Sequence, residues 1–120
     1  MKNKSDITAL RLHNQRLSQT TFTQAHEVVS WLGAMQAQDY AGAKWAIAQR
    51  ASSENGGLTD AALDQALAEG SILRTHVLRP TWHFVAPEDI RWMLKLTAPR
   101  VNAFNAYQYR RCELDDAVFQ

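Results

Sequence analysis

The stretch SILRTHVLRPTWHFVA, from Ser71 to Ala86, decides the fold, because its apolar residues are spaced differently from those in the chain before it. β-Branched and aromatic residues dominate the stretch, which is typical of strands. Its second half alternates between two sides of an extended chain, with Trp82 and Phe84 on one side and Arg79, Thr81, His83 and Val85 on the other. We predict an antiparallel pair of strands whose Trp82 and Phe84 lie in the core.

The chain before this stretch has helical spacing. Ala25, Val28, Val29 and Leu32 follow the i, i+3, i+4, i+7 pattern of an amphipathic helix, and Gly33 suits its end. SSENGG, residues 52–57, predicts a loop. The further predicted helices are a short one capped by Asp6, one over Ala41–Ser52, one from Thr59 to Gly70, one from Pro87 to Leu96, and one over Ala98–Arg111 capped by Thr97.

The order of these elements predicts a mainly α fold with a small antiparallel β-hairpin, as in a winged helix, a relative of the helix-turn-helix. We expect residues 1–112 to form the winged-helix domain. The acidic residues and apolar positions of CELDDAVFQ predict that residues 113–120 begin a following helix or unit.

Composition excludes several classes of protein. The 120 residues carry a formal charge of +1, so a polyanionic partner would have to bind a local basic patch. Cys112 is the single cysteine, which excludes an intrachain disulfide and a cysteine-rich zinc site and fits a reducing cytoplasm. No apolar run approaches the roughly 20 residues that a membrane span needs.

Two glutamines and an aspartate follow the first secure helix, in MQAQDY, residues 35–40. Gln36 and Gln38 would face opposite sides of a helix, but they point to the same side of an extended chain. Two amides that converge off a helix can hold a water by donors and acceptors, and Asp39 can add a negative charge. The alternative is that all three are solvated or capping residues at a helix end.

Polar and basic side chains elsewhere could bind a phosphate backbone. The candidates are Lys44, Arg50, Arg74, Arg79, Thr81 and His83. The alternative is a scattered solvated surface, with Thr81 and His83 bonded to neighbouring backbone. The four histidines show no metal-ligand spacing, so no metal site is predicted.

The segments RLHNQRL, LGAMQAQDY, ILRTHVLRPTWHFVAPEDIRWML and PRV together resemble the amino-terminal part of the AlkZ/YcaQ-like family of bacterial winged-helix proteins, several of which are DNA glycosylases. The resemblance runs from about Leu10 to the end of the chain. It implies tandem winged-helix units around a basic cleft, double-stranded DNA as partner, no metal or organic cofactor, a monomer, and a cytoplasmic location.

The resemblance also implies a reaction. The family's motif of glutamine, apolar residue and glutamine maps onto Gln36, Ala37 and Gln38. It implies hydrolysis of the N-glycosidic bond of N7-alkylated or crosslinked purines by a monofunctional glycosylase. Thr81 and His83 would line the pocket, and Arg79 would contact phosphate.

Family members carry further winged-helix units. We therefore expect the 120-residue chain alone to be inactive and a full-length parent to be active. The alternative function is a noncatalytic winged-helix module that binds DNA or a protein.

Overall fold

A computed structural model describes residues 4–52 and 56–119. In this part of the chain there are five helices and three strands. They are α1 (Lys4–Asn14), α2 (Ala25–Leu32), β1 (Ala34–Gln36), α3 (Tyr40–Ala48), α4 (Asp60–Ala68), β2 (Leu73–His76), β3 (Trp82–Val85) and α5 (Ile90–Arg111). The centre of the loop predicted for residues 52–57 lies outside the described residues.

The strands form one antiparallel sheet in the order β1-β3-β2. The antiparallel pair predicted from the decisive stretch is confirmed as β2 and β3. The third strand, β1, was not predicted. It has only three residues, too few to show an alternating pattern, and it pairs with β3 so that Gln36 lies opposite His83.

The sheet is buried on both faces at its central strand. Phe84 packs against α2 and α3 through Val28 and Ile47, as the predicted core position requires. On the other face, Val85 packs against Met93 of α5. Because both faces of β3 are covered, side chains that alternate between its two faces are buried on either side, and neither face is exposed to solvent.

Local signals located several helices correctly. Gly33 ends α2 with a φ of 75°, a conformation that glycine adopts without a steric cost. Thr59 caps α4, its side chain accepting a hydrogen bond from the Ala62 N–H at 3.1 Å. These predictions are confirmed. The overall result is the predicted mainly α fold with a small antiparallel sheet, consistent with a winged-helix-like architecture.

Two predicted helix boundaries were wrong. Residues 90–111 form one helix that continues through Pro99, and the Thr97 hydroxyl donates to the Met93 carbonyl at 2.8 Å inside that helix instead of capping a new one. The helix α1 begins at Lys4, so Asp6 lies in its first turn and not at its cap. The described residues after Cys112 contain a turn, in which Asp115 Oδ1 accepts from the Ala117 N–H at 3.0 Å, and the start of a following unit at residues 113–120 stays a prediction.

Candidate functional site

Gln36 and Gln38 lie where β1 ends and before α3 begins, so they are not on a helix. Ala37 between them is fully buried, whereas both glutamines are exposed. They line one cleft of about 540 Å³, which we call the glutamine cleft. The other residues that line it are Asp39, Gly42, Ala43, Trp45 and Ala46. Both amides therefore reach one solvent-accessible space.

The backbone between the glutamines is fixed on both sides. The Ala37 N–H donates to the Trp82 carbonyl at 2.7 Å. The Ala37 carbonyl accepts from Arg74, from Nε at 3.2 Å and from Nη2 at 2.9 Å. The Arg74 guanidinium also lies 4.5 Å from the centroid of the Trp82 ring. Arg74, predicted to bind DNA, thus holds the glutamine segment in place.

The two amides differ in their partners. Gln38 Oε1 accepts from the Trp82 N–H at 3.3 Å, which leaves its NH₂ group free to donate. The Gln36 amide has no hydrogen-bond partner in the described ranges 4–52 and 56–119. One amide is anchored by its oxygen, and the other keeps both its donor and its acceptor functions for a ligand.

Asp39 caps α3. Its Oδ1 accepts from the Gly42 N–H at 3.0 Å. A Cβ at Gly42 would lie 2.5 Å from Asp39 Oδ2, so a larger residue at this position would displace the capping side chain. The carboxylate thus sits at the rim of the glutamine cleft and is positioned by the helix that it caps.

His83 lies beside Gln36 on the same face of the sheet. The bond between Ala37 and Trp82 makes the neighbouring residues 36 and 83 a non-hydrogen-bonded pair, whose Cα atoms are about 4.5 Å apart. His83 is 4% exposed. Its Nδ1 lies 2.8 Å from the Thr81 carbonyl, which can only accept, so Nδ1 carries a hydrogen and the lone pair of the neutral ring is on Nε2.

Burial lowers the pKa of His83, and the nearby Arg79 and His76 lower it further, while the bond to the Thr81 carbonyl opposes them. The net effect favours a neutral imidazole. His83 was predicted to line the pocket, and the structure places it next to Gln36 but behind the surface.

Lys44 forms ion pairs within the fold. The side chain is buried, and its Nζ lies 2.6 Å from Asp60 Oδ1 and 2.8 Å from Asp64 Oδ1 on α4. The two carboxylates raise its pKa. Lys44, predicted to bind DNA, thus joins α3 to α4 through these two carboxylates.

The Arg50 side chain also forms hydrogen bonds within the protein. Its Nη1 donates to the Ala46 carbonyl at 2.7 Å, and its Nε donates to the Gln15 carbonyl at 2.8 Å. This guanidinium ties the end of α3 to the segment after α1. Arg50, predicted to bind phosphate, is thus used within the fold.

Arg79 and Thr81 lie in the loop between β2 and β3, because β3 begins at Trp82. The predicted row of Arg79, Thr81 and His83 along one strand is therefore wrong. Two close backbone bonds turn the chain here, from the Arg79 N–H to the Val77 carbonyl and from the Thr81 N–H to the Arg79 carbonyl. The Arg79 side chain remains exposed.

The charged side chains of α4 are acidic. Its charged residues are Asp60 and Asp64, both exposed, and Glu69 follows at its end. The sequence signal for this arrangement was the i, i+4 spacing of the two aspartates, which brings both within reach of Lys44.

The described part of the chain has neither a metal-binding group nor a membrane-spanning helix. No group of three or more histidine, cysteine, aspartate or glutamate residues there could hold a metal ion. No described helix is both long and apolar enough to pass through a bilayer. The remaining candidate chemistry is that of amides, one carboxylate and one neutral imidazole, which together can bind and orient water.

A family model and a solved structure of a known protein match this chain. The family model described as "DNA glycosylase AlkZ-like" matches residues 29–119, a range that contains the whole glutamine cleft. The solved structure of Streptomyces sahachiroi DNA glycosylase AlkZ is similar, with a TM-score of 0.61 and 26% sequence identity over 78% of this chain. The chain spans 24% of the length of that protein. No curated protein matches the chain significantly.

Proposed function

The chain belongs to the family of AlkZ-like DNA glycosylases, and from this premise we propose that it is the part of a DNA repair glycosylase that holds the attacking water. The observation that carries the proposal is the glutamine cleft. Gln36 and Gln38 are exposed on one cleft while Ala37 between them is locked by Arg74 and Trp82.

The reaction that suits this site is hydrolysis of the N-glycosidic bond of an N7-alkylated purine, including crosslinked forms. Alkylation at N7 makes the base cationic and a good leaving group. The water oxygen forms a bond to C1′ of the deoxyribose as the C1′–N9 bond breaks, and that electron pair leaves with the base. The water loses its proton to the surrounding solvent. Because departure of the base is easy, positioning the water matters more than a strong base.

Each residue has a role in this proposal. Gln36 and the NH₂ group of Gln38 hold the water, and the rigid backbone at Ala37 keeps the two amides in place. Asp39 places a negative charge at the rim, where it stabilises the cationic sugar of the transition state. His83 lies beside Gln36 as a neutral imidazole and adds no positive charge there.

The preferred test is base release by the full-length parent. Duplex DNA treated with a methylating agent is incubated with the protein, and free N7-methylguanine and apurinic sites are quantified. We expect equal amounts of both products without strand cleavage. Absence of base release from any N7-alkylated duplex would contradict the proposal, and robust release by the isolated 120-residue chain would show that further units are not needed.

A second function is favoured by one specific observation. Gln38 Oε1 and Asp39 Oδ1 both accept bonds from backbone N–H groups, so two of the three proposed catalytic side chains also serve the fold. A noncatalytic winged-helix module that binds DNA or a protein would use them only in this way. Such a module would bind DNA without base release, and Gln36→Ala would leave its binding unchanged.

A further inference from the structure

A second cleft lies between the loop joining β2 to β3 and the middle of α5. Its volume is about 660 Å³, and we call it the wing cleft. The residues that line it include Leu78, Arg79, Pro80 and Thr81 on the loop and Arg100 and Phe104 on α5. The wing cleft shares no residue with the glutamine cleft.

Two unneutralised cations face this cleft. Arg79 and Arg100 are both exposed, and neither forms an ion pair with a carboxylate of the described residues. Lys44, Arg50 and Arg74 by contrast are occupied by partners within the fold. Two guanidinium groups at one concave site attract an anion, and their planar N–H groups match phosphate oxygens.

A polar group in the wall of the cleft has no partner. Thr81 Oγ1 is buried and forms no hydrogen bond with any described residue. Buried hydroxyl groups are nearly always bonded, so an orphan hydroxyl in a cationic cleft indicates a site for an acceptor. A phosphate oxygen is such an acceptor.

The loop holds these groups in a fixed arrangement. Leu78 has a φ of 55°, in the left-handed region, and its N–H donates to Thr97 Oγ1 of α5 at 3.3 Å. The Thr81 N–H donates to the Arg79 carbonyl at 2.7 Å, and Pro80 between them restricts the backbone. Strain of this kind is found at ligand-binding loops, and a fixed loop loses less entropy when it binds.

The geometry also relates the two clefts. His83, which lies opposite Gln36 in the sheet, is two residues along the chain from Thr81 of the wing cleft, so β3 connects the two clefts.

We propose that the wing cleft binds a backbone phosphodiester of DNA, through the guanidinium groups of Arg79 and Arg100 and the hydroxyl of Thr81. Leu78, Pro80 and Phe104 contact the deoxyribose beside it. This inference rests on the proposed function, because it assumes that the partner is DNA. It adds a second contact point whose lining residues are distinct from those of the glutamine cleft.

The test is the affinity of the 120-residue chain for a fluorescent, undamaged duplex over a range of salt concentrations. The variants are Arg79→Ala, Arg100→Ala and the double variant. We expect weaker binding for each single variant. For the double variant, the slope of log K against log salt should fall in magnitude by about 0.9, the value for one lost phosphate contact. Because both side chains are exposed, circular dichroism should show an unchanged fold.

Arg110→Ala is the matched control, an exposed arginine on α5 outside the wing cleft. It should keep the wild-type slope. An unchanged slope in the double variant overturns the inference, and so does an equal loss in Arg110→Ala, which would indicate a general effect of charge. Tight binding of inorganic phosphate without any effect of the variants on the duplex would indicate a free-anion site and also overturn it.

Failure of this inference can be told apart from failure of the proposed function. If the wild-type chain binds no duplex even at low salt, the wing cleft proposal fails, whereas the proposed function is decided by base release in the full-length parent. If it binds duplex and the arginine variants behave as the wild type, only the wing cleft proposal fails, since base release depends on Gln36 and Gln38.

Discussion

Gln36 lies directly opposite His83 across the ladder between β1 and β3, and the two side chains share one face of the sheet. Gln36 is exposed at the end of its strand, while His83 is buried in the centre of the sheet. No hydrogen bond joins the two side chains, so the Gln36 amide keeps its donor and its acceptor for a ligand. This pair links the buried sheet to the glutamine cleft.

His83 makes stability depend on pH. Because its pKa is lowered in the folded chain, the unfolded chain binds a proton at higher pH than the folded chain does. Stability should therefore be complete above the unfolded pKa of about 6.5 and decline as pH falls below that value toward the folded pKa. His83→Gln, which cannot titrate, should lack this decline. Urea unfolding at a series of pH values measures it, and identical pH profiles for the two proteins would contradict the assignment.

Arg74→Ala should destabilise the fold and loosen the glutamine segment. The substitution removes both hydrogen bonds to the Ala37 carbonyl, and bonds from charged donors contribute about 1.5–3 kcal/mol. Urea unfolding gives the loss in the free energy of unfolding, and hydrogen exchange at the Ala37 and Gln38 amides reports local opening. Arg91→Ala, which removes an exposed arginine of α5, is the control. Unchanged exchange in Arg74→Ala would show that Arg74 does not position the segment.

Two substitutions at Asp39 separate its charge from its capping bond. Asp39→Ala should cost about 1 kcal/mol of stability, because the Gly42 N–H loses its acceptor. Asp39→Asn keeps an acceptor at the cap, so its stability should stay close to that of the wild type. If the charge supports the cationic transition state, Asp39→Asn should still reduce base release in the full-length parent. Full activity of Asp39→Asn would leave Asp39 with a capping role alone.

Lys44→Met should leave DNA binding unchanged. The Lys44 ammonium is buried between Asp60 and Asp64 and does not face a partner. Methionine fills a similar volume, and the two exposed aspartates return to solvent. The salt dependence of duplex binding should keep its wild-type slope, in contrast to the Arg79 and Arg100 double variant. A reduced slope would place Lys44 at the DNA interface, as the sequence had suggested.

The features that the sequence predicted well are those set by neighbouring residues. The apolar spacing of α2, the glycine at its end and the threonine cap of α4 all act within one or two turns, and the alternation around Trp82 acts within one strand. These signals are local, so no knowledge of tertiary packing was needed. The position of the glutamine segment was left open, because both an extended segment and a helix end were compatible with MQAQDY.

The features that the sequence did not predict depend on partners that are far away along the chain. Arg74 meets the Ala37 carbonyl across 37 positions, and Lys44 meets Asp64 across 20. The sequence does not show whether the partner of a basic residue is a buried carbonyl, a carboxylate or DNA. The continuity of α5 was missed for a related reason, since a threonine before a proline can cap a new helix or bond backward within an existing one, as Thr97 does.

The central claim is that the two amides of the glutamine cleft hold the attacking water, and base release by glutamine variants of the full-length parent tests it most directly. Gln36→Ala and Gln38→Ala should each lower the rate of N7-methylguanine release by about 10²-fold or more, while duplex affinity stays within a few fold. Gln65→Ala, which removes an exposed glutamine of α4, should release the base at the wild-type rate. Rates within a few fold of the wild type for both cleft variants would contradict the claim.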